Sequence, residues 1–332
     1  MSEAPIEIAI VVTPGFNMAA TVGFLDPLRA ANYLIGDPVF RWALYANAIP
    51  TASNGLSIRA EPLSALKRPP DFGVISTSWT PEAHYGDFDA LLRRWSRFGT
   101  SLVGLDTGAF VLAAAGLLGG YRATVHYEHM DAFAETYPDV ALSEDLYVID
   151  RDRLTASGGG SAIDLGLQIV RSVAGQGLAN SAARYVFHER LRPEGTRQLP
   201  DLVEPTGIMA PEALRRAIQV MEQNLEEVAP MPVIAERAGI SQRRMERLFR
   251  QFVGKSPVRY YSDIRLDRAR GLVTQTDLPL HEISLACGFA SPEHFSRAYR
   301  ARFGITARTD RIEGRVPFEF RAWPMHVRGG QI

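Results

Sequence analysis

The chain has 332 residues, 46% apolar and 22% charged, enough for about two domains with cores of their own and too apolar for a disordered chain. Its 36 Lys and Arg against 37 Asp and Glu give a net charge of −1, which read alone argues against a nucleic-acid partner. The charge is unevenly spread, however: residues 1–210 carry 16 basic and 23 acidic side chains, and residues 211–332 carry 20 and 14. An acidic body followed by a basic tail domain points back towards nucleic acid.

In chain order, Ile6–Val12 (IEIAIVV) is an apolar run closed by Pro14-Gly15, the pattern of a strand buried on both faces. A helix is predicted over residues 19–33, strands over 40–46, 71–76 and 101–105, and a weaker one over 56–61. Helices are predicted over residues 87–98 and 107–118. Strands alternating with helices imply an open, mostly parallel α/β sheet, in which ligands bind beyond the carboxyl ends of the strands. Ser157-Gly-Gly-Gly-Ser161 then leads into a helix over residues 162–173. It lacks phosphate-loop spacing and reads as a tight turn or a close backbone approach.

Within this first region, Gly104-Leu105-Asp106-Thr107-Gly108 joins a strand directly to a helix. This is the G-x-nucleophile-x-G elbow, which holds its central side chain up at the sheet edge beside a helix N-terminus. Three roles are open to Asp106: a nucleophile, a ligand-binding carboxylate, or a cap for the following helix. A carboxylate flanked by aromatic faces suits an ammonium or guanidinium group. Neighbouring strand-end loops supply Phe16, Asn17, Ser78, Trp79, His126 and Tyr127, which with Asp106 and Thr107 form the candidate ligand set. The aromatic members serve equally well as packing.

Residues 192–211 hold four prolines and two glycines where the charge changes sign, a domain boundary. The expected division is 5–191, a linker 192–210, and 211–325. After a helix over residues 211–224, Val233–Phe252 reads as a short helix, a Gly239 turn, an N-cap Ser241 and a second helix. Met245, Leu248, Phe249 and Phe252 make its buried stripe, leaving Gln242, Arg243, Glu246, Arg247 and Arg250 outward. The same grammar returns over Ile283–Gly304, with Glu293, His294, Ser296, Arg297 and Arg300 outward and Cys287 at the core position of Ala238. A helix over residues 257–274 joins the two helix-turn-helix units. Roughly 16 helical residues span about 24 Å, which with the flanking helices sets the recognition helices on the order of 34 Å apart, one DNA turn. Arg243 and Arg297 are the candidates for guanine readout, and Lys255, Arg259, Arg265 and Arg268 for phosphate contacts. The DNA-binding set is therefore Gln242, Arg243, Arg247, Arg250, Lys255, Glu293, His294, Arg297 and Arg300.

Two resemblances cover nearly the whole chain. The elbow, Ala115–Thr124 (AGLLGGYRAT) and His126 resemble the class I glutamine amidotransferase-like superfamily in its PfpI-type branch, and within it the GlxA-type arm. That branch carries Cys at the elbow, often followed by His; Asp106 and Thr107 stand there instead, so thiol nucleophile chemistry at this position is excluded. Residues 283–304 match I-x-x-x-x-G-F-x-S-x-x-x-F-x-x-x-[FY]-[KR]-x-x-F-G of the AraC/XylS family, with Ala307 where proline is usual. The resemblances imply a flavodoxin-like sensing and dimerisation domain ahead of an all-α double helix-turn-helix domain that binds double-stranded promoter DNA. They further imply a transcription regulator, not an enzyme, that activates a catabolic operon through RNA polymerase in response to a small cationic nitrogen compound, an amino acid or a quaternary amine. A DNA-tethered amidase or hydrolase using Asp106, and a purely architectural DNA binder, are the alternatives. No cofactor, catalytic residue or metal is expected. The lone Cys287 excludes an intrachain disulfide or thiolate cluster, MSEAPIEIAIVV has no basic n-region, and no apolar run reaches a membrane span of about 20 residues. A cytoplasmic homodimer is expected.

Overall fold

The computed structural model describes residues 4–77, 79, 81, 86–189, 191–198 and 210–313. The chain divides into two compact units, with the change falling at Gln198/Leu199. Residues 192–198, linker-like in composition, are held by the first unit. Tyr147 Oη donates to Arg192 O at 2.7 Å, and Gln198 Nε2 donates to Thr124 Oγ1 and Val125 O at 2.9 and 2.8 Å.

In the first unit, β1 (Ile6–Val12), β2 (Phe40–Ala46), β3 (Glu61–Pro62), β4 (Phe72–Ser76), β5 (Ser101–Leu105), β8 (Tyr147–Asp150) and β9 (Arg153–Ala156) form one sheet of order β3-β2-β1-β4-β5-β9-β8. All neighbours are parallel except β8 and β9. Two-residue strands β6 (Arg122–Ala123) and β7 (Ala141–Leu142) pair separately. The sheet is covered by α1 (Met18–Ile35), α2 (Asp89–Arg97), α3 (Gly108–Ala114), α4 (Met130–Thr136) and α5 (Ser161–Tyr185).

The sheet runs outward in both directions from β1, through β2 on one side and β4 on the other, so the switch point lies between β1 and β4. At the carboxyl ends of these two strands, buried hydroxyls face each other: Thr13 with Thr77 at 3.0 Å and Thr21 with Ser76 at 2.8 Å. Alternate side chains of β1 feed two cores. Ile8, Ile10 and Val12 pack with α1 and α5, whereas Ala9 and Val11 pack with α2 and α3. The strand predicted over residues 56–61 shrinks to Glu61–Pro62 at the sheet edge, because the preceding stretch turns back on itself in a Thr51–Ser57 bridge. The helix predicted over residues 107–118 ends at Ala114.

The second unit holds α6 (Glu212–Glu222), α7 (Met231–Arg237), α8 (Gln242–Leu248), continued by a π-helical turn over Phe249–Val253, α9 (Pro257–Gln275), α10 (Leu280–Ala286), α11 (Pro292–Phe303) and α12 (Ala307–Glu313). The starts of α8, α9 and α11 are fixed by Ser241, Ser256 and Ser291, each accepting from a backbone N–H three residues on. Pro257 and Pro292 at the first helical turn add a preset φ.

Candidate ligand crevice and DNA interface

The elbow places Asp106 at the carboxyl end of β5 with φ +61°, a left-handed conformation that costs a non-glycine residue about 1–2 kcal/mol. The sequence suggests that the elbow glycines allow the sharp turn. The structure instead puts the turn's strained residue at Asp106 and uses the glycines for clearance. A Cβ on Gly104 would lie 2.8 Å from Ala109 N, and one on Gly108 would lie 2.4 Å from Ile75 O. Asp106 is 6% exposed. Its Oδ2 accepts from Asn17 Nδ2 at 2.7 Å, while Asn17 Oδ1 caps α1 by accepting from Ala20 N at 3.0 Å. One amide thus starts a helix and orients the carboxylate. The Ser157–Ser161 turn closes over the same group: a Cβ on Gly158 would lie 3.1 Å from Asp106 Cγ, the close backbone approach expected of this turn.

The aromatic members of the set form a second group. The Trp79 ring stands edge-on to His126 at 5.3 Å and to His129 at 4.3 Å, and Tyr127 lies 4.5 Å from His126. Phe110, one turn beyond Asp106, touches His129 at 5.9 Å and so ties this group to α3. Burial lowers the His126 pKa to about 4. Burial, with His126 as a smaller cause, lowers that of His129 to about 3. Both imidazoles are neutral near pH 7, so the group offers uncharged aromatic faces, linked to the helix that follows Asp106 through Phe110.

His129 escaped the sequence reading. It is buried and reached through a short 3₁₀ turn that periodicity does not signal. Phe16 is corrected: it is fully buried in the α1–α5 core with Ala20 and Phe24, so its ring is packing. Thr107 is buried under the elbow, Tyr127 is half-exposed, and Ser78 lies outside the described residues. No group of three His, Cys, Asp or Glu among the described residues is arranged to hold a metal.

In the second unit, Met245, Leu248, Phe249, Phe295 and Tyr299 are buried, and Gln242, Arg243, Arg247, Arg250, Glu293, His294, Arg297 and Arg300 are all exposed on α8, its continuation and α11. Cys287 and Ala238 are both fully buried, at equivalent positions of the two motifs. The arginines and lysine assigned to phosphate divide differently. Lys255 Nζ donates to Asp263 Oδ2 at 2.7 Å, and Arg259 Nε lies 3.2 Å from Asp263 Oδ1. Arg265 is spent on Cys287 O and Gly288 O at 2.8 and 2.7 Å and lies over the Phe289 ring at 4.4 Å. Arg265 is therefore an internal tie, claimed by two backbone carbonyls at the end of α10, whereas Lys255 and Arg259 meet the buried Asp263 carboxylate and keep side chains 46% and 56% exposed. The signal missed was Asp263, an acidic residue on the inner face of a basic helix.

Comparison with known proteins fits this picture. A helix-turn-helix domain model matches residues 234–311. The chain is 38% identical over 307 residues to the HTH-type transcriptional regulator CdhR of Pseudomonas aeruginosa, spanning 91% of this chain and 90% of that protein. It is 32% identical to the HTH-type transcriptional regulator GlxA of Rhizobium meliloti, spanning 90% and 93%. The chain belongs to the AraC family of transcriptional regulators, in its GlxA-type branch. Among solved structures, an AraC family transcriptional regulator from Pseudomonas putida matches 55% of this regulator and all of that chain, with 29% identity and a TM-score of 0.52. A ThiJ/PfpI family protein from Pseudomonas syringae shares the fold over 66% of this chain and 87% of its own, with 22% identity and a TM-score of 0.51. The regulator thus couples a PfpI-type α/β fold to an AraC-type DNA-binding domain. No helix among the described residues is long and apolar enough to cross a membrane.

Proposed function

We propose that this regulator senses a small cationic nitrogen compound, an amino acid or a quaternary amine, in the crevice around Asp106. The carrying observation is the enclosed carboxylate at the carboxyl end of β5, oriented by Asn17 and neighboured through α3 by the uncharged Trp79, His126 and His129. An ammonium group gains from the carboxylate and from the aromatic faces, and neutral imidazoles do not repel it. Titration calorimetry of the full chain with a panel of amino acids, betaines and simple amines tests this. One member is expected to bind, and Asp106→Ala to lose at least about tenfold in affinity, or about 1.4 kcal/mol. Equal binding by Asp106→Ala overturns the reading.

The α/β domain serves as the dimer contact in this reading. The two recognition helices, α8 and α11, enter successive major grooves of promoter DNA, and the ligand-bound form activates a catabolic operon through RNA polymerase. Ligand binding has this effect only by favouring one arrangement of the two domains over another. Arg243 and Arg297 read guanine, while Gln242, Glu293 and His294 line the same exposed faces and Arg247, Arg250 and Arg300 meet phosphate.

A further inference from the structure

The two helix-turn-helix motifs have separate apolar cores. Leu214, Met221, Ile234, Met245 and Phe249 belong to the first, and Ile283, Phe289, Phe295 and Tyr299 to the second. The joining helix α9 gives Tyr261 to the first core and Leu266, Ala269 and Leu272 to the second. Apolar packing is non-directional, so two cores strung on one helix leave the relative rotation of the motifs weakly specified. Between Tyr261 and Leu266, where α9 passes from one core to the other, sits Asp263, 3% exposed.

The Asp263 carboxylate gathers cations from both motifs. Lys255, just beyond the extension of α8, donates to Oδ2 at 2.7 Å. Arg302, in the last turn of α11, brings Nη1 to 2.8 Å from Oδ1, and Arg259 approaches the same oxygen at 3.2 Å. Arg302 is held in turn by Asp267, which accepts from its Nε at 3.0 Å and from its Nη2 at 2.6 Å. Burial alone would raise the Asp263 pKa, but the Lys255 hydrogen bond and the charges of Arg302 and Arg259 outweigh it and hold the carboxyl below its ordinary range. The group is ionised wherever the protein binds DNA. The Lys255 bond is charge-assisted and directional, and with the Arg302 ion pair it ties one point on α9 to the foot of each recognition element.

We propose that Asp263 is a positioning residue that fixes the separation and relative rotation of α8 and α11, and thereby the half-site spacing that the regulator accepts on DNA. The inference rests on both recognition helices engaging the duplex. On B-DNA one inserted base pair moves a half-site by about 3.4 Å and turns it by about 35°. A domain locked at one rotation must reject that change, and a loosened one tolerates it.

The test uses the full-length regulator and duplexes recovered by selection from a random library. Half-site spacing is then varied by one and two base pairs in each direction, and each half-site is also presented alone. The wild-type protein is expected to lose about tenfold or more in affinity per inserted base pair, against about threefold or less for Asp263→Asn. Affinity for a single half-site is expected to stay unchanged. Arg302→Gln, which leaves Asp263 with Lys255, is the second variant and should flatten the profile in the same way; the double variant should add nothing further. A merely structural role would lower affinity by one factor at every spacing. That outcome, or a wild-type spacing profile in both variants, overturns the proposal. Should Asp263→Asn fail to fold, the Arg302→Gln profile alone decides it. Should neither variant bind two half-sites better than one, the requirement that both helices engage DNA has failed instead, and the wild-type protein shows this directly by ignoring spacing.

Discussion

Asp106 concentrates three physical facts in one residue: a left-handed backbone, near-complete burial and a hydrogen bond from the amide that starts α1. Asp106→Asn keeps the size of the side chain and removes its charge, so it separates electrostatic from steric recognition. We expect it to fold with a thermal midpoint within a few degrees of wild type and to lose the ligand-induced rise in that midpoint. His126 and His129 make a second prediction. Their folded pKa values, about 4 and about 3, lie below the ordinary 6.5, so the unfolded chain binds more protons over the interval between. Stability from the neutral pair is therefore complete above pH 6.5 and declines as pH falls towards 4. Thermal unfolding between pH 7.5 and 4.5 should show this decline, and His129→Phe should flatten it by about 1–3 kcal/mol. A pH profile identical in the variant would show that other groups dominate.

Helices and strands differ in how openly the sequence declares them. Ile6–Val12 and Ser101–Leu105 match the strands read from apolar runs, because central parallel strands are apolar on both faces, and Phe40–Ala46 matches as a half-buried strand nearer the sheet edge. Strands β8 and β9 were not read, since these two four-residue strands gain their identity only by pairing with each other and, through β9, with β5. The turn between α10 and α11 carries the third prediction. Gly288 has φ +68°, and a Cβ there would lie 2.5–2.7 Å from Val228 Cγ2, Leu225 O and Glu226 O. Two of these neighbours are backbone and cannot swing aside. Gly288→Ala should therefore cost about 2 kcal/mol or more, combining positive-φ strain with overpacking. Chemical denaturation would show a lowered midpoint, and Gly119→Ala, where nothing lies within 4 Å of the added Cβ, is the quiet control.

For the whole molecule, the net charge of −1 hides an acidic first part and a basic second part. DNA affinity should therefore fall with salt as if the basic part acted alone at short range, since charges more than a Debye length apart, about 8 Å at physiological ionic strength, are screened. With about six phosphate contacts, affinity between 50 and 200 mM salt is expected to drop by about 10³-fold. A salt-insensitive gel shift would contradict it. Arg243→Ala and Arg297→Ala should differ from Arg250→Ala in kind. The first two relax preference at one base step by about 1–3 kcal/mol, and the last weakens every sequence by a common factor and lowers the salt slope.

By itself the sequence determined the order and kind of the two domains, the elbow with its carboxylate, and both helix-turn-helix motifs. These depend on local rules: apolar periodicity, serine caps, and glycine or proline where the backbone demands them. The outward faces of α8 and α11 follow from the same periodicity, since a buried stripe fixes its opposite side. Only the tertiary structure decided which polar residues face one another. It moved Phe16 into the core, brought His129 against Trp79, set Lys255 and Arg259 against Asp263, and spent Arg265 on the carbonyls at the end of α10. Charged groups act through distance, and their partners lie far apart in sequence: Arg302 and Asp263 are 39 residues apart, Asn17 and Asp106 are 89 apart. No periodic pattern records such a pairing, so the lock between the two recognition helices appears only once the chain is folded.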